Sequence, residues 1–415
     1  MTSVGGAVPR WATRGDAVLR NVRVVDVVDG TVGPSTSILV RDGLIERIAE
    51  DASEGAQVPT ADLDGAYVLP GLINMHTHFS LSLPGPSGAD VEAFGEAGLA
   101  LYMADGARRT LHSGVTTVRC VAEKGHADFA LRRAIDAGWV QGPRIYTAGR
   151  ALACTGGHGS GSDDTLECDG ADAFTHGVRA QIKAGADLIK LMISGGIAGE
   201  HETISTPQLT RDEMAAAIST AHAWGRKVTA HAGPADVIAE AVSLGIDGIE
   251  HGYELTPDVC AAMAAQGTAL VPTLVVTRAS AFFDELGVPA WMQERSLGAG
   301  ERHVASYRMA LEAGVEVLLG SDMPPFWAFE GTTAVVRELE HMHAFGLDRA
   351  ATLRAATLSP ARWLGIDAQT GSIAVGKRAD LIAMRGNPLD DISALRGIGM
   401  VMKNGVIVRD DRENE

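Results

Sequence analysis

Through the middle of the chain, short apolar runs alternate with longer stretches in which apolar residues recur every three or four positions. The short runs read as buried strands: Leu72–Met75, Val115–Val121, Arg144–Gly149, Leu188–Ile193, Val228–His231, Gly248–His251, Ala269–Leu274 and Val317–Asp322. Stretches such as Ala173–Ala184, Arg211–Trp224, Ala235–Leu244 and Arg302–Ala313 have the period of amphipathic helices. This alternation over residues 71–365 predicts an α/β fold, a (β/α)8 TIM barrel. A doubly wound open sheet is the second candidate. No Gly-x-Gly-x-x-Gly follows an early strand, and the glycine-rich run Thr155–Gly161 lacks the lysine of a phosphate-binding loop.

The two ends of the chain follow a different rule. Ala17–Val25, Ser37–Val40 and Leu44–Ala49 are β-branched, partly alternating and separated by Asp29-Gly30 and Asp42-Gly43. Near the C-terminus, Gly376–Met384 and Gly399–Val408 have the same character, and Asn404-Gly405 is a strong hairpin signal. The ends are expected to pair into one composite β-sandwich, residues 1–70 plus 366–415, interrupted by a catalytic barrel over 71–365. Pro70-Gly71 reads as the turn at the seam.

Composition narrows the class. The 415 residues are 46% hydrophobic and 21% charged, with a net charge of −17. So acidic a chain, without a basic run, argues against nucleic acid and against anionic membranes as partners. No apolar run reaches the ~18 residues of a membrane span. The first dozen residues are expected to form a loose tail, without the apolar core of a signal peptide. Cys120, Cys154, Cys168 and Cys260 lie far apart in no paired pattern, which suits a reduced, cytoplasmic protein.

The chemistry sits where the predicted strands end, the rim at which barrel enzymes place their functional groups. His76 and His78 stand two apart on one strand, so their side chains project to one side. Further along come Lys190, His231, His251 and Asp322. Neutral imidazoles and a carboxylate suit Zn²⁺ or a similar divalent ion, and this many donors can serve two ions. Lys190 lies between Ile189 and Leu191. Burial there disfavours its charged form, so the neutral amine can add CO2. The product, N6-carboxylated Lys190, is a bidentate carboxylate on a long arm that can bridge two metals ~4 Å apart. Asp322 can take the proton of an attacking water and deliver it to a leaving group.

These residues, with Pro70–His78, Glu250-His251-Gly252 and Gly320-Ser321-Asp322, resemble the amidohydrolase superfamily over nearly the whole chain. Gly114–Arg119, Thr155–Gly159, Cys168–Gly170, Ala184–Lys190 and Ser194–Gly196 resemble its Xaa-Pro dipeptidase-like, imidazolonepropionase-related group. The resemblance implies a binuclear hydrolase of amide or peptide bonds. His76, His78 and Asp322 would hold the more buried metal, His231 and His251 the second, with carboxylated Lys190 and a hydroxide between them. A small-molecule amide, an Xaa-Pro-like dipeptide or an N-acyl amino acid is the expected substrate, Zn²⁺ the expected ion and a homo-oligomer the expected assembly. The alternative is a mononuclear deaminase or cyclic-amide hydrolase, which would not need Lys190. The chain departs from the group in Cys120-Val121-Ala122-Glu123 after Arg119, and in Ala232-Gly233-Pro234 after His231, where dipeptide-cleaving relatives carry Tyr or His. Both loops face the substrate.

Three more residues stand near this rim. His158, between glycines at the end of the third expected strand, is a candidate donor to the substrate carbonyl as it becomes an oxyanion, with a solvent-facing loop histidine the alternative. Tyr253 can touch substrate or pack the rim. Arg119 can bind a substrate carboxylate bidentately or pair with an acid inside the barrel, and the ion pair is the expectation. The segments 282–300 and 326–329 are candidates for a substrate wall or for plain packing. The other histidines are expected to be structural or on the surface.

Overall fold

The computed structural model describes residues 14–52, 54–55 and 57–411; the tail expected over the first dozen residues lies outside them. In chain order the strands are β1 (Ala17–Asp26), β2 (Thr31–Arg41), β3 (Leu44–Ala49), β4 (Thr60–Pro70), β5 (Leu72–Thr77), β6 (Val115–Cys120), β7 (Arg144–Thr147), β8 (Ala151–Ala153) and β9 (Thr165–Glu167). They continue as β10 (Leu188–Met192), β11 (Lys227–Pro234), β12 (Gly248–Glu254), β13 (Ala269–Val271), β14 (Ala328–Phe329), β15 (Thr332–Thr333), β16 (Leu381–Met384), β17 (Ile398–Lys403) and β18 (Val406–Asp410).

The two ends of the chain share one seven-stranded sheet, ordered β18-β17-β16-β4-β1-β2-β3. β4 joins the halves, parallel to β1 and antiparallel to β16. Asn404 (φ 48) and Gly405 (φ 77) turn β17 into β18 with both central residues left-handed, as the Asn-Gly signal requires. Leu19, Ile38, Val40, Val68, Leu381 and Met400 fill one face. β4 has no counterpart among the expected strands. Its Asp-Leu-Asp-Gly opening carries turn residues, and Asp64 and Gly65 have positive φ. Long-range pairing with β1 and β16 overrides that local signal.

Pro70-Gly71 is not a turn. Pro70 ends β4, Gly71 N–H donates to Asp380 O (2.8 Å), and Leu72 N–H donates to Gly114 O (3.0 Å) as β5 begins. The backbone thus passes directly from one sheet to the other. A Cβ on Gly71 would meet Thr116 Oγ1 at 2.2 Å, so only glycine fits the crossing.

The interior strands are parallel, in the sets β5-β6-β7 and β13-β12-β11-β10-β8-β9. Asp187 N–H, just before β10, donates to Thr147 O at the end of β7 (2.8 Å). The expected eighth strand, Val317–Asp322, is a single parallel bridge from Val317 to Leu270 rather than a strand. It lies between the sets all the same: Leu318 N–H donates to Leu270 O (2.9 Å), and Met75 N–H donates to Leu319 O (2.7 Å). At Gly320 a Cβ would lie 2.3 Å from Val271 Cγ1 and 2.7 Å from His76 Cβ, and just past it the N–H groups of Ser321 (3.1 Å) and Asp322 (2.8 Å) both donate to His76 O.

Helices Ala171–Ala184, Arg211–Ala223, Ala235–Ser243 and Gly300–Glu312 match the amphipathic stretches. The second starts in a capping box between Thr210 and Glu213. Among the described residues no helix is long and apolar enough to cross a membrane.

Candidate metal centre

The candidate ligands come from parallel strands and from the bridged segment that lies between the sets, and all six line one cavity. His76 lies in β5 and His78 one residue past it; Lys190 is the middle residue of β10; His231 and His251 lie in β11 and β12. His76, Lys190, His231 and His251 are buried, whereas the Asp322 side chain is 24% exposed. Asp322 is placed by its N–H, which donates to His76 O (2.8 Å), and by Ser321 Oγ, which accepts from Asn74 Nδ2 (2.8 Å).

Three non-glycine residues at this rim have left-handed backbones: His251 (φ 69), Thr273 (φ 52) and Asp322 (φ 55). That conformation is costly away from glycine and is found where a site holds it in place. Its effect at His251 is visible. Successive strand residues normally face opposite ways, yet Glu250 and His251 both reach the surroundings of His76. Glu250 Oε2 is 2.7 Å from His76 Nδ1, and the His76 and His251 rings are 5.1 Å apart.

Every one of the four imidazoles is anchored through one nitrogen. His76 Nδ1 bonds Glu250 Oε2 (2.7 Å), His78 Nδ1 bonds Ala122 O (2.9 Å), His251 Nδ1 bonds Thr273 Oγ1 (2.7 Å) and His231 Nε2 bonds Gly195 O (3.1 Å). The second nitrogen of each is left for the site. His76 Nε2 lies 2.8 Å and His78 Nε2 3.1 Å from Asp322 Oδ1, and those two nitrogens are 3.2 Å apart. Ligand atoms of His76, His251 and Asp322 all fall within 4.8 Å of one another. Imidazole nitrogens and a carboxylate so close, each fixed from behind, fit a divalent cation: the outer bond sets the tautomer and aims the lone pair.

The electrostatics agree with that fit. Burial pushes His231 and His251 well below the usual imidazole range, keeping them neutral. Burial also outweighs the pull of Glu250 and Asp322 on Lys190 and brings its amine down from 10.5 to about 8. Asp322 goes the other way. Burial opposes its charge, but His76 and His78 hold it well below the usual carboxylate range. His78 mirrors it, lifted against burial to about 9 by Asp322, so that a cation binding there would have to displace its proton.

Behind the ligands lies a buried ion pair. Arg119 Nη2 meets Glu250 Oε1 at 2.5 Å with both side chains fully buried, and Arg119 Nε donates to Met75 O (2.5 Å). Thr229 Oγ1 donates to the same Glu250 oxygen. Burial would raise the Glu250 carboxyl, but Arg119, His76 and Lys190 hold it far below the usual range. The ion pair expected for Arg119 is there, with the Trp363 ring 4.7 Å from its guanidinium.

A cavity of about 120 Å³ opens beside the six candidate ligands, and both His158 and Tyr253 line it. His158 does not end a strand. It sits in the loop between β8 and β9, two short strands the sequence pattern does not announce. Its ring stacks on His231 (4.1 Å, 20°), and its Nδ1 bonds Glu202 Oε1 (2.5 Å), itself held by Gln208 Nε2 (2.6 Å). Tyr253 stacks on His251 (5.2 Å, 3°). Of the two aromatic segments, 282–300 supplies Phe283 and Met292 to the cavity, while Trp327 and Phe329 pack behind against Phe282. His303, expected to be structural, is buried with Nε2 3.2 Å from His251 O.

Sequence reasoning missed Glu250, Glu202 and Thr273 as partners of the imidazoles. It also missed Glu123, whose carboxylate takes the N–H groups of Phe79 (2.6 Å) and Ser80 (2.8 Å) just past His78. Burial raises that group to about 7. A glutamate inside an apolar run was the available signal for Glu250; the others sit in loops.

Comparison with known proteins follows the same line. A family model described as the amidohydrolase family matches residues 67–408. The ochratoxinase of Aspergillus niger is 27% identical, over 82% of this chain and 75% of its own. A prolidase crystallised with N-methylphosphonate-L-proline superimposes with a TM-score of 0.87 at 29% identity, covering 95% of this chain and 100% of its own. A Xaa-Pro dipeptidase with bound methionine in its active site gives 0.84 at 30%, with the same coverage.

Proposed function

This chain belongs to the amidohydrolase family, and from that premise we propose that it is a metal-dependent hydrolase of a C–N amide bond in a small molecule. The observation that carries the proposal is the anchoring of four imidazoles, each through one nitrogen, around the cavity that Asp322 also lines. The names of the prolidase, the dipeptidase and the ochratoxinase support amide chemistry. The inter-set bonds of Asp187, Leu318 and Met75 support one closed (β/α)8 ring over 71–365. A composite β-sandwich of residues 1–70 and 366–415 would flank it.

In this reading His76, His78 and Asp322 would hold one divalent ion and His231 and His251 a second, with carboxylated Lys190 as their shared ligand and Zn²⁺ the ion expected. Carboxylation joins the neutral amine to CO2 and releases one proton, a step that a Lys190 brought down to about 8 favours. Divalent cations held there would acidify water and polarise a carbonyl oxygen. The chain's own groups do the rest. Asp322 accepts the proton of the water that adds to the carbonyl carbon. His158, aimed by Glu202 and Gln208, donates to the carbonyl oxygen as it gains charge. Asp322 then returns the proton to the amide nitrogen as the C–N bond breaks, leaving a carboxylic acid and an amine.

The test is hydrolysis of an amide panel by protein loaded with Zn²⁺ and bicarbonate. Chelation should abolish turnover and added metal restore it, and Asp322→Asn should lose about 10²-fold or more in kcat. Turnover that survives chelation contradicts the proposal.

A further inference from the structure

Away from the ligands, the cavity is walled by apolar side chains: Leu83, Met192, Ile197, Val276, Phe283 and Met292. Among the described residues that line it, Lys190 is the one side chain of the Lys or Arg type, and the reading above commits it to the metals. The nearby guanidiniums are engaged elsewhere. Arg295 donates to the carbonyls of Gly196, Ile197 and Gly199, and Arg278 to Thr277 Oγ1 (2.9 Å) and Gly300 O (3.0 Å). Arg119 is spent on Glu250. Beyond His231, Ala232-Gly233-Pro234 carry no donor side chain, and Gly233 N–H donates to Ser194 Oγ (2.9 Å).

A substrate carboxylate placed against this wall would give up its water for no cationic partner, with His158 committed to the carbonyl oxygen and only the neutral Tyr253 hydroxyl left to it, a heavy penalty for a charge. An aromatic or branched alkyl group would gain by burial there, at ~25 cal/mol per Å². Thioethers such as those of Met192 and Met292 also suit the edge of a ring. The volume is near that of an engineered apolar cavity which accepts one benzene. Tyr253 adds a neutral hydroxyl that makes no side-chain hydrogen bond among the described residues.

We infer that the amide cleaved here carries an uncharged aromatic or branched alkyl group beside the reacting bond and no α-carboxylate, so that free dipeptides and N-acyl amino acids are the poorer substrates. The inference rests on the hydrolase reading above and narrows it.

A matched pair tests it: N-acetylphenethylamine and N-acetylphenylalanine, which differ by one carboxylate, assayed with enzyme loaded with Zn²⁺ and bicarbonate. The neutral member should lead in kcat/KM by about a hundredfold. Ala198→Arg, at the half-buried rim, should shrink that ratio at least about tenfold by giving the carboxylate a partner. Equal or faster cleavage of N-acetylphenylalanine, abolished by chelator, overturns the substrate inference and leaves the metallohydrolase reading standing. If neither is cleaved, calorimetry on the metal-loaded protein decides. Tighter binding of the neutral member supports the inference; tighter binding of the anion, or no binding of the neutral member, overturns it.

Discussion

Glu250 is the residue on which the centre turns, because it holds His76 with one oxygen and Arg119 with the other. Glu250→Gln should therefore have two separable effects. Leaving Arg119 buried and unpaired should cost about 3–5 kcal/mol of stability, read by urea unfolding. Freeing His76 should weaken metal binding about 10- to 100-fold, read by titration. The double variant Arg119→Met, Glu250→Leu should recover much of the stability and none of the metal affinity; recovery of both would show that Glu250 is structural only. Lys190 gives a pH prediction. Its pKa is lowered to about 8, so the neutral, CO2-reactive fraction grows as pH rises and passes one half there. At a fixed concentration of dissolved CO2, carboxylation of metal-free protein, read as the activity regained once Zn²⁺ is added, should accelerate from about pH 7 to 9 and then level off, and a flat profile would contradict the assignment. That these six residues gather at one cavity was legible in the sequence, since each is a His, Asp or Lys in or just after an apolar run. Their anchors were not. Thr273 and Glu202 gain meaning only from neighbours 22 and 44 residues away in sequence.

At the scale of elements, the expected eighth strand teaches most. Its apolar residues were read correctly as a buried segment, yet it makes a single bridge at Val317, and Gly320 lets Val271 and His76 pack against bare backbone. Periodicity reports which positions are buried but not how closely a neighbouring strand approaches. Gly320→Ala should push His76 aside, with metal affinity falling more steeply than thermal stability; unchanged affinity would count against that packing. The short helical turn Leu274–Thr277 offers a second case. Glu338, from helix Ala334–Ala344, accepts the N–H groups of Leu274 and Val275 (2.8 Å each), and burial raises its carboxyl from 4.5 to about 8. The folded chain then binds the extra proton between those values, so this group's contribution to stability declines as pH climbs through that window. Glu338→Gln should flatten the fall of Tm from about pH 5 to 8; an equally steep fall in the variant would assign it to other groups.

For the whole molecule, the pairing of the chain's two ends was readable because Asn404-Gly405 and the β-branched runs carry local signals. The strand that joins the ends, β4, was not, since its partners lie in β1 and β16 on either side of the interior strands. Removing residues 381–411 should expose the β4 edge together with the face around Leu19 and Val68, giving insoluble protein; a soluble, folded product would show that the interior strands stand alone. The claim on which the functional account depends is that side chains from five separate segments gather around a pair of divalent ions bridged by a modified lysine. Metal stoichiometry tests it most directly, by elemental analysis of protein saturated with Zn²⁺ in bicarbonate, wild type beside Lys190→Ala. The account predicts about two ions per wild-type chain and one or fewer in the variant. Equal loading of the two proteins, or a wild type that retains no metal, would contradict it.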